Sequence, residues 1–140
     1  LNTLLYNLKT ANKAGVKSTG NGFKGSYASI VGISATNFYI EPGNKSFDEL
    51  CEEVKDGVII TEFAGLHAGA SSVTGDFSLA AKGFMIENGK KTFPVEQITV
   101  AGNFFTLLKD IETVGSDLKF PMSSIGSPSV IVKELSVAGK

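Results

Sequence analysis

The amino-acid sequence predicts a single α+β domain over residues 1–140, with a mostly antiparallel, barrel-like β-sheet and two or three helices. Its 140 residues fit one domain of common size. A hydrophobic fraction of 42% can form a core and is too high for a disordered chain. Sixteen glycines separate short apolar runs, which is typical of β-rich chains with many tight turns.

The first helix is predicted over residues 1–14, with Asn2 as its N-cap and Gly15 in the left-handed conformation at its end. Its apolar residues recur at helical spacing on one face: Leu1, Leu4, Leu5, Leu8 and Ala11. Residues 17–26 contain three glycines and are predicted to form a loop. Residues 36–40 form the best strand of the segment that follows.

The second helix begins with a capping box, in which Ser46 and Glu49 are spaced to satisfy each other's backbone amides. Cys51 falls on the apolar face of this helix, so we expect a buried, unreactive thiol. Gly57 is predicted to end the helix.

The next segment predicts a hairpin, because Asn88-Gly89 lies between two strand-like runs and both residues tolerate the positive φ of a type I′ turn. Residues 84–86 should therefore pair with residues 91–93. Pro94 is predicted to end that strand or to mark a sheet edge. The remaining predicted strands are a buried strand at 58–63, one at 78–87, one at 95–100 and the last at 129–137.

A further helix is predicted after Asn103, which can cap it, and before Gly115, which would end it. The inner stripe of this helix would consist of apolar residues at helical spacing: Phe104, Leu107, Leu108 and Ile111. Phe105 would point away from that stripe and could meet another domain.

Charge and composition exclude several classes of partner. All 13 basic residues are lysines, scattered among 14 acidic residues, so clustered basic charge for nucleic acid is lacking. No apolar run approaches the roughly 18 residues that a membrane span needs, so we expect a soluble protein without a membrane partner. Cys51 is the only cysteine and permits no internal disulfide, which favours the cytoplasm.

The sequence lacks the donors for a catalytic site of its own. A catalytic zinc needs three protein ligands, but His67 is the only histidine and no His-Glu-x-x-His or Cys-x-x-Cys occurs. Ser71, Ser72 and Asp76 lie near His67, yet none stands in a Gly-x-Ser-x-Gly elbow. We therefore predict no catalytic residue and no metal ligand within these 140 residues.

The segment 64–78 is the candidate functional site, because its density of small residues would let another backbone approach closely. Such a segment suits an extended peptide that lies against a strand. A tight crossover packed under its own domain explains it equally well, and the sequence leaves both open. The residues predicted for peptide binding or for the interface are His67, Gly69, Thr74, Gly75, Asp76 and Ser78.

Several runs of this chain resemble the C-terminal region of the TldD/PmbA family. They include Gly65-Leu66-His67-Ala68-Gly69-Ala70 and Val73-Thr74-Gly75-Asp76-Phe77-Ser78. The resemblance continues, in order, through residues 17–22, 56–62, 81–89, 94–103, 114–118, 126–129 and 137–139. It implies that the chain is the C-terminal domain of an intracellular protein roughly three times as long.

The resemblance also implies a function. Some members carry His-Glu-x-x-x-His upstream and a late cysteine that completes a zinc site, and they act as metallopeptidases on small or unfolded peptides. The PmbA-like branch, also called TldE, lacks the metal motif and pairs with a TldD-like subunit. Here residues 126–129 read Gly-Ser-Pro-Ser where the cysteine would stand, so the resemblance implies the PmbA-like branch.

On this interpretation the domain provides a subunit interface and a wall of the peptide chamber rather than catalysis. Its partners would be a TldD-like subunit or a second copy, together with peptide substrates, and zinc would be held only by a TldD-like partner or by the parent protein. The alternative is a regulatory protein-binding module, because the family is also called modulator of DNA gyrase.

Overall fold

A computed structural model describes residues 3–121 and 123–139. They divide into two compact units, the first from residues 3–39, 120–121 and 123–126 and the second from residues 40–119 and 127–139. The described elements, in chain order, are α1 (Leu8–Ala14), β1 (Gly22–Phe23), β2 (Gly32–Ile33), β3 (Phe38–Tyr39), α2 (Phe47–Val54), β4 (Gly57–Ala64), α3 (Leu66–Gly69), β5 (Asp76–Glu87), β6 (Lys90–Asn103), α4 (Phe104–Lys109), β7 (Ile111–Val114), β8 (Ile125–Gly126), β9 (Val130–Val132) and β10 (Ser136–Ala138).

In the first unit, α1 begins later than predicted. Asn7 is the N-cap: its side chain accepts from the Thr10 amide, and the Thr10 hydroxyl accepts from the Asn7 amide. This reciprocal cap starts the helix at Leu8, and the described residues before it are not helical. The proposed cap Asn2 lies outside the described residues, whereas Gly15 ends the helix at φ 67° as predicted.

The rest of the first unit consists of short strands. β1 pairs antiparallel with β2, and β3 pairs parallel with β8. The predicted loop 17–26 therefore contains a strand. Polar side chains hold this region: the Tyr6 amide donates to Thr19 Oγ1 at 2.7 Å, and the Asn7 side chain donates to the Gly32 carbonyl at 3.2 Å. Among the described apolar residues of this unit, only Ala11 is buried.

The second unit contains a four-stranded antiparallel sheet in the order β10-β6-β5-β4. Its core is formed by Ala81, Ile98 and Val100. Half-buried apolar residues pack around this core: Val58, Ile60, Phe77, Val95 and Leu135. The described sheets do not close into a barrel, so the mostly antiparallel α+β class is confirmed and the barrel-like part is not. The described residues form four helices rather than the two or three predicted.

β5 and β6 form the predicted hairpin, and Asn88 and Gly89 have φ values of 51° and 75°. Pro94 was predicted to end the strand or to mark a sheet edge, and the structure supports the second alternative. β6 continues through Pro94, but among the described strands β10 pairs only with residues 99–101 of β6, so β6 is an edge at Pro94. Register shifts flank the pairing of Pro94 with Phe84. Irregular pairing of this kind tolerates a residue that has no amide hydrogen to donate.

α2 confirms the predicted capping box, since Ser46 and Glu49 exchange the two expected hydrogen bonds. The helix ends at Val54, before the predicted Gly57, and Lys55 follows with φ 62°. The β5–β6 turn closes this end: Gly89 donates its amide to the Lys55 carbonyl at 2.7 Å, and the Asn88 amide donates to the Asp56 carboxylate at 3.0 Å.

Three strand and helix predictions need correction. β4 is an edge strand rather than a buried one, half-buried over 57–60 and exposed over 61–64. α4 ends at Lys109, because the residues after it pair with β9 as β7. The predicted final strand divides into β9 and β10, which belong to different sheets.

Candidate functional site

The segment between β4 and β5 folds as a compact crossover. Gly65, with φ 80°, starts the four-residue helix α3, and Ala70 then forms an antiparallel bridge with Phe77. A Cβ on Gly69 would overlap the Ser78 carbonyl, so this glycine lets α3 lie directly on β5. Of the two alternatives that the sequence left open, these contacts support the crossover packed on its own domain.

The second half of the segment is a tight turn between Ser71 and Asp76. The Gly75 amide donates to the Ser71 carbonyl at 2.9 Å, and the Ser71 amide donates to the Asp76 carbonyl at 2.9 Å. The Ser71 hydroxyl also accepts from the Thr74 amide at 3.2 Å. Gly75 has φ 81°, a conformation that favours glycine.

Asn103 joins this turn to α4. Its side-chain amide donates to the Thr74 carbonyl at 2.9 Å and to the Asp76 carboxylate at 2.8 Å. Its side-chain oxygen accepts from the amides of Phe105 and Thr106, which caps α4. The sequence predicted the cap but missed the bridge, because Thr74 and Asn103 are 29 positions apart and share no local pattern.

These contacts change the titration of Asp76. The hydrogen bond from Asn103, followed by the contribution of Thr74, holds the pKa of the Asp76 carboxyl below its ordinary value. The carboxylate therefore stays ionised over the neutral range and keeps accepting the bond from Asn103. Its role in the described residues is to fix the turn.

Gly75 is the closest point of contact between the turn and α4. A Cβ at this residue would lie 2.6 Å from the Phe105 ring, and the Gly75 carbonyl accepts from the Phe104 amide at 2.7 Å. The Phe105 ring thus covers Gly75 while remaining 52% exposed itself. Phe105 was expected to point away from the apolar stripe of its helix and towards another domain, and the structure places its ring against Gly75 of the same chain.

The structure brings only some of the predicted site residues together. Thr74, Gly75 and Asp76 meet at Asn103. His67 is exposed on α3, and its imidazole makes no hydrogen bond within the described residues. Ser78 lies in β5 with an exposed side chain, and its carbonyl faces Gly69.

Exposed apolar side chains lie on the turn itself, on α3 and on α4. Val73 at its tip is 87% exposed, and Leu66 on α3 is 62% exposed. The Phe104 and Phe105 rings contact each other edge to face at 6.1 Å between centroids, and each is about half exposed. An ordered turn that carries a large exposed apolar area is typical of a surface that another molecule covers.

The described residues do not fit a zinc site. No group of three histidine, cysteine, aspartate or glutamate side chains comes together in them. Where the family's late cysteine is expected, the Ser129 hydroxyl donates to Asp117 at 2.8 Å and the Ser127 hydroxyl donates to the Pro128 carbonyl at 2.8 Å. Neutral hydroxyls in such bonds are poor zinc ligands beside a thiolate.

Cys51 is buried in α2, with 4% of its surface exposed, and forms no disulfide. Burial, with a smaller contribution from the nearby Asp48 carboxylate, raises the pKa of the thiol. The Cys51 thiol is therefore protonated and packed, as the sequence predicted. It is unreactive, because the thiolate is the reactive form.

The described elements define an α+β domain with a packed crossover, and the comparison with known families shows which domain class it is. The model of the PmbA/TldA metallopeptidase C-terminal domain matches residues 1–139. The chain belongs to the PmbA/TldD family.

Two curated relatives show the extent of the match. Metalloprotease PmbA of Escherichia coli O157:H7 is 37% identical over 131 residues, which cover 94% of this chain and 26% of that protein. The metalloprotease PmbA homolog of Buchnera aphidicola subsp. Acyrthosiphon pisum (strain APS) is 32% identical over 139 residues, or 99% of this chain and 28% of that protein. The chain therefore spans about a quarter of the length of these relatives.

Solved structures give the same fold. A Thermotoga maritima protein described as a candidate modulator of a DNA gyrase is 51% identical with a TM-score of 0.85, over 99% of this chain and 31% of that one. TldE from Thermococcus kodakarensis has a TM-score of 0.81 over 97% of this chain and 31% of that one. At 24% identity, the TldE match supports the fold alone. No helix in the described part of the chain is long and apolar enough to cross a membrane.

Proposed function

We propose that the chain is the C-terminal domain of a PmbA/TldE-like subunit in a TldD/PmbA-type metallopeptidase complex of the cytoplasm. The domain forms a subunit interface and part of the wall of a chamber that admits small or unfolded peptides. Bond cleavage takes place elsewhere, and any zinc is held by a TldD-like partner or by the rest of the parent protein.

The observation that carries this proposal is a set of exposed apolar side chains, Leu66 and Val73 on the crossover and Phe104 and Phe105 on α4. Their backbone is fixed by the Asn103 bridge, so little conformational entropy is lost when a partner binds. Aromatic side chains on a preorganised surface are the residues that contribute most to protein interfaces.

A binding experiment tests the interface. We expect Val73→Asp to weaken capture of a purified TldD-like subunit from the same organism at least about tenfold, because it places a charge in the apolar contact. Phe93→Asp is the matched control: Phe93 is 52% exposed but lies near the β5–β6 turn, at the other end of that hairpin. Equal binding by both variants and the wild type would contradict the proposed interface.

The chamber wall is tested separately with an unfolded peptide. A photo-crosslinking amino acid at position 73 should label the peptide in the presence of the TldD-like subunit, whereas the same group at position 93 should not. Labelling at both positions, or at neither, would remove the peptide-binding part of the proposal and leave the interface intact.

A second candidate function is a regulatory module that binds a topoisomerase subunit. It is favoured by the description of the Thermotoga maritima protein, with which this chain shares 51% identity. Capture of purified gyrase in place of the TldD-like subunit, with loss of capture in Val73→Asp, would establish it.

A His-Glu-x-x-x-His motif upstream in the parent chain would instead indicate that the parent itself is a metallopeptidase.

A further inference from the structure

The two units carry formal charges of opposite sign, which the net charge of −1 conceals. The first unit contains four lysines and no acidic residue, a formal charge of +4. The second contains nine lysines and 14 acidic residues, a formal charge of −5. Surfaces of opposite charge attract each other and steer association.

The first unit presents a preformed knob at the tip of its β1–β2 hairpin. Tyr27 and Ile30 are 98% and 90% exposed, and the Lys24 ammonium lies 5.4 Å from the centroid of the Tyr27 ring. The tip is ordered by Ser29, whose amide donates to the Ser26 carbonyl at 3.1 Å and whose hydroxyl lies 2.6 Å from that of Ser26. An aromatic ring that carries a cation on its face is an anchor for an acidic, partly apolar concavity.

The second unit contains such a concavity, a cavity of about 350 Å³ between α4, the end of β6 and residues 134–136. Leu107 and Leu135 form its apolar part, and Asp110 and Glu134 line it with carboxylates. Neither carboxylate forms a salt bridge within the described residues. The carboxylates of this cavity are therefore opposite in charge to Lys24 of the hairpin knob.

We infer that the Lys24–Tyr27 knob of one copy docks into the Asp110–Glu134 cavity of a second copy, so that the domain self-associates. This inference deepens the proposed function by naming a second copy as a partner. It rests on the proposed function only because both require the domain to bind another subunit. The second copy is favoured over an anionic membrane, because lipid headgroups would use the lysines but leave the acidic cavity unoccupied.

A charge exchange tests the contact in the 140-residue chain. Sedimentation velocity should show self-association that weakens at high salt. A knob variant, Lys24→Glu, and a cavity variant, Asp110→Lys with Glu134→Lys, should each weaken self-association at least about tenfold, because each sets like charges against each other.

A mixture of the knob variant and the cavity variant should associate as the wild type does. The acidic knob of the knob variant then meets the basic cavity of the cavity variant. In the other contact, the unchanged Lys24 of the cavity variant meets the unchanged Asp110 and Glu134 of the knob variant. Recovery in the mixture shows that the knob and the cavity contact each other, because neither substitution alone could restore binding at an unrelated surface.

Two further variants separate the contact from general effects. Tyr27→Ser should also weaken self-association, but equally at low and high salt, because it removes apolar area. Lys90 is an exposed lysine beside the β5–β6 turn, and Lys90→Glu should leave self-association unchanged.

Three results would each overturn the inference: failure of the mixed variants to associate, a monomer at all concentrations, or binding to phosphatidylserine vesicles in place of self-association. A monomer that still binds the TldD-like subunit through Val73 would overturn it while leaving the proposed function standing.

Discussion

The two units reach their structures by different means. The second has a core in which Val100 is fully buried, and its hairpin and sheet pack around that residue. The first has Ala11 as its only buried apolar residue among those described, and polar bonds around Tyr6, Asn7 and Thr19 hold it together. Burial of apolar area is the main source of folding free energy, so the second unit should carry most of the chain's stability.

The same difference explains where binding surfaces lie. A hairpin tip with Tyr27 and Ile30 almost fully exposed contributes little to the stability of its own unit and is free to bind another molecule. In the described part of the second unit, exposed apolar residues lie on the edge strands β4 and β10, in β6, on α3 and α4, and in the turn at Val73. Paired substitutions, one in each unit, test this contrast.

The largest expected effect comes from glycine replacement. In Gly83→Ala the new Cβ would overlap the Ile59 carbonyl on the neighbouring strand, and we expect a loss of about 3 kcal/mol in the free energy of unfolding. Gly20→Ala has open space and loses only about 1 kcal/mol, from its φ of 77°. Urea unfolding followed by circular dichroism measures both, and equal losses would contradict the contrast.

Core truncation should give the next largest effect. Val100→Ala leaves a cavity in the buried cluster and should cost about 2 kcal/mol. Val137→Ala changes a 45% exposed side chain on the edge strand β10 and should cost less than about 0.5 kcal/mol. Thermal unfolding should show a clear decrease in Tm for the first only, and a similar decrease in both would contradict the assignment of the core.

The two capping boxes allow a like-for-like comparison. Ser46→Ala should destabilise α2 by about 1 kcal/mol. Asn7→Ala should cost about 2 kcal/mol locally, because Asn7 is buried and also donates to the Gly32 carbonyl. Hydrogen exchange should show faster amides in α1 and β2 for Asn7→Ala, with β5 and β6 unchanged; a loss confined to α1 would show that the bond to Gly32 is unimportant.

The smallest effect concerns pH. The pKa of Asp76 is lowered in the folded state, so its contribution to stability is present above its unfolded pKa and is lost as the pH falls through the folded pKa. In Asn103→Ala the Asp76 pKa should rise towards its ordinary value. Glu49, whose pKa is lowered by its bonds to Ser46, provides an internal control that should not move. Carboxyl NMR titration measures both, and an unchanged Asp76 would show that Asn103 does not hold it.

Local signals predicted the elements that depend on local contacts. The capping box of α2 and the Asn88-Gly89 turn join residues at most a few positions apart, and both are confirmed. The helix after Asn103 was predicted too long, because Ile111 fits a helical stripe but pairs with Val132 instead. Tertiary pairing of this kind overrides helical spacing and leaves no local pattern.

The candidate site was predicted in part for the same reason. The density of small residues predicted segment 64–78 as a place where another backbone approaches closely. A Cβ at Gly69 would collide with the Ser78 carbonyl, and a Cβ at Gly75 would collide with the Phe105 ring. The bridge from Asn103 to Thr74 and Asp76 could not be predicted, because it joins distant segments. The opposite charges of the two units could not be predicted either, because the boundaries between the units depend on the fold.

The turn between β5 and β6 has a practical consequence for engineering. Exposed Asn-Gly turns are usually good places for an epitope or a fluorescent probe, because added residues loop outwards. Here the turn's own amides complete the end of α2, through the bonds to Lys55 and Asp56. A graft at Asn88 would therefore fray a helix more than thirty positions earlier in the chain, and reporter tags are better attached elsewhere.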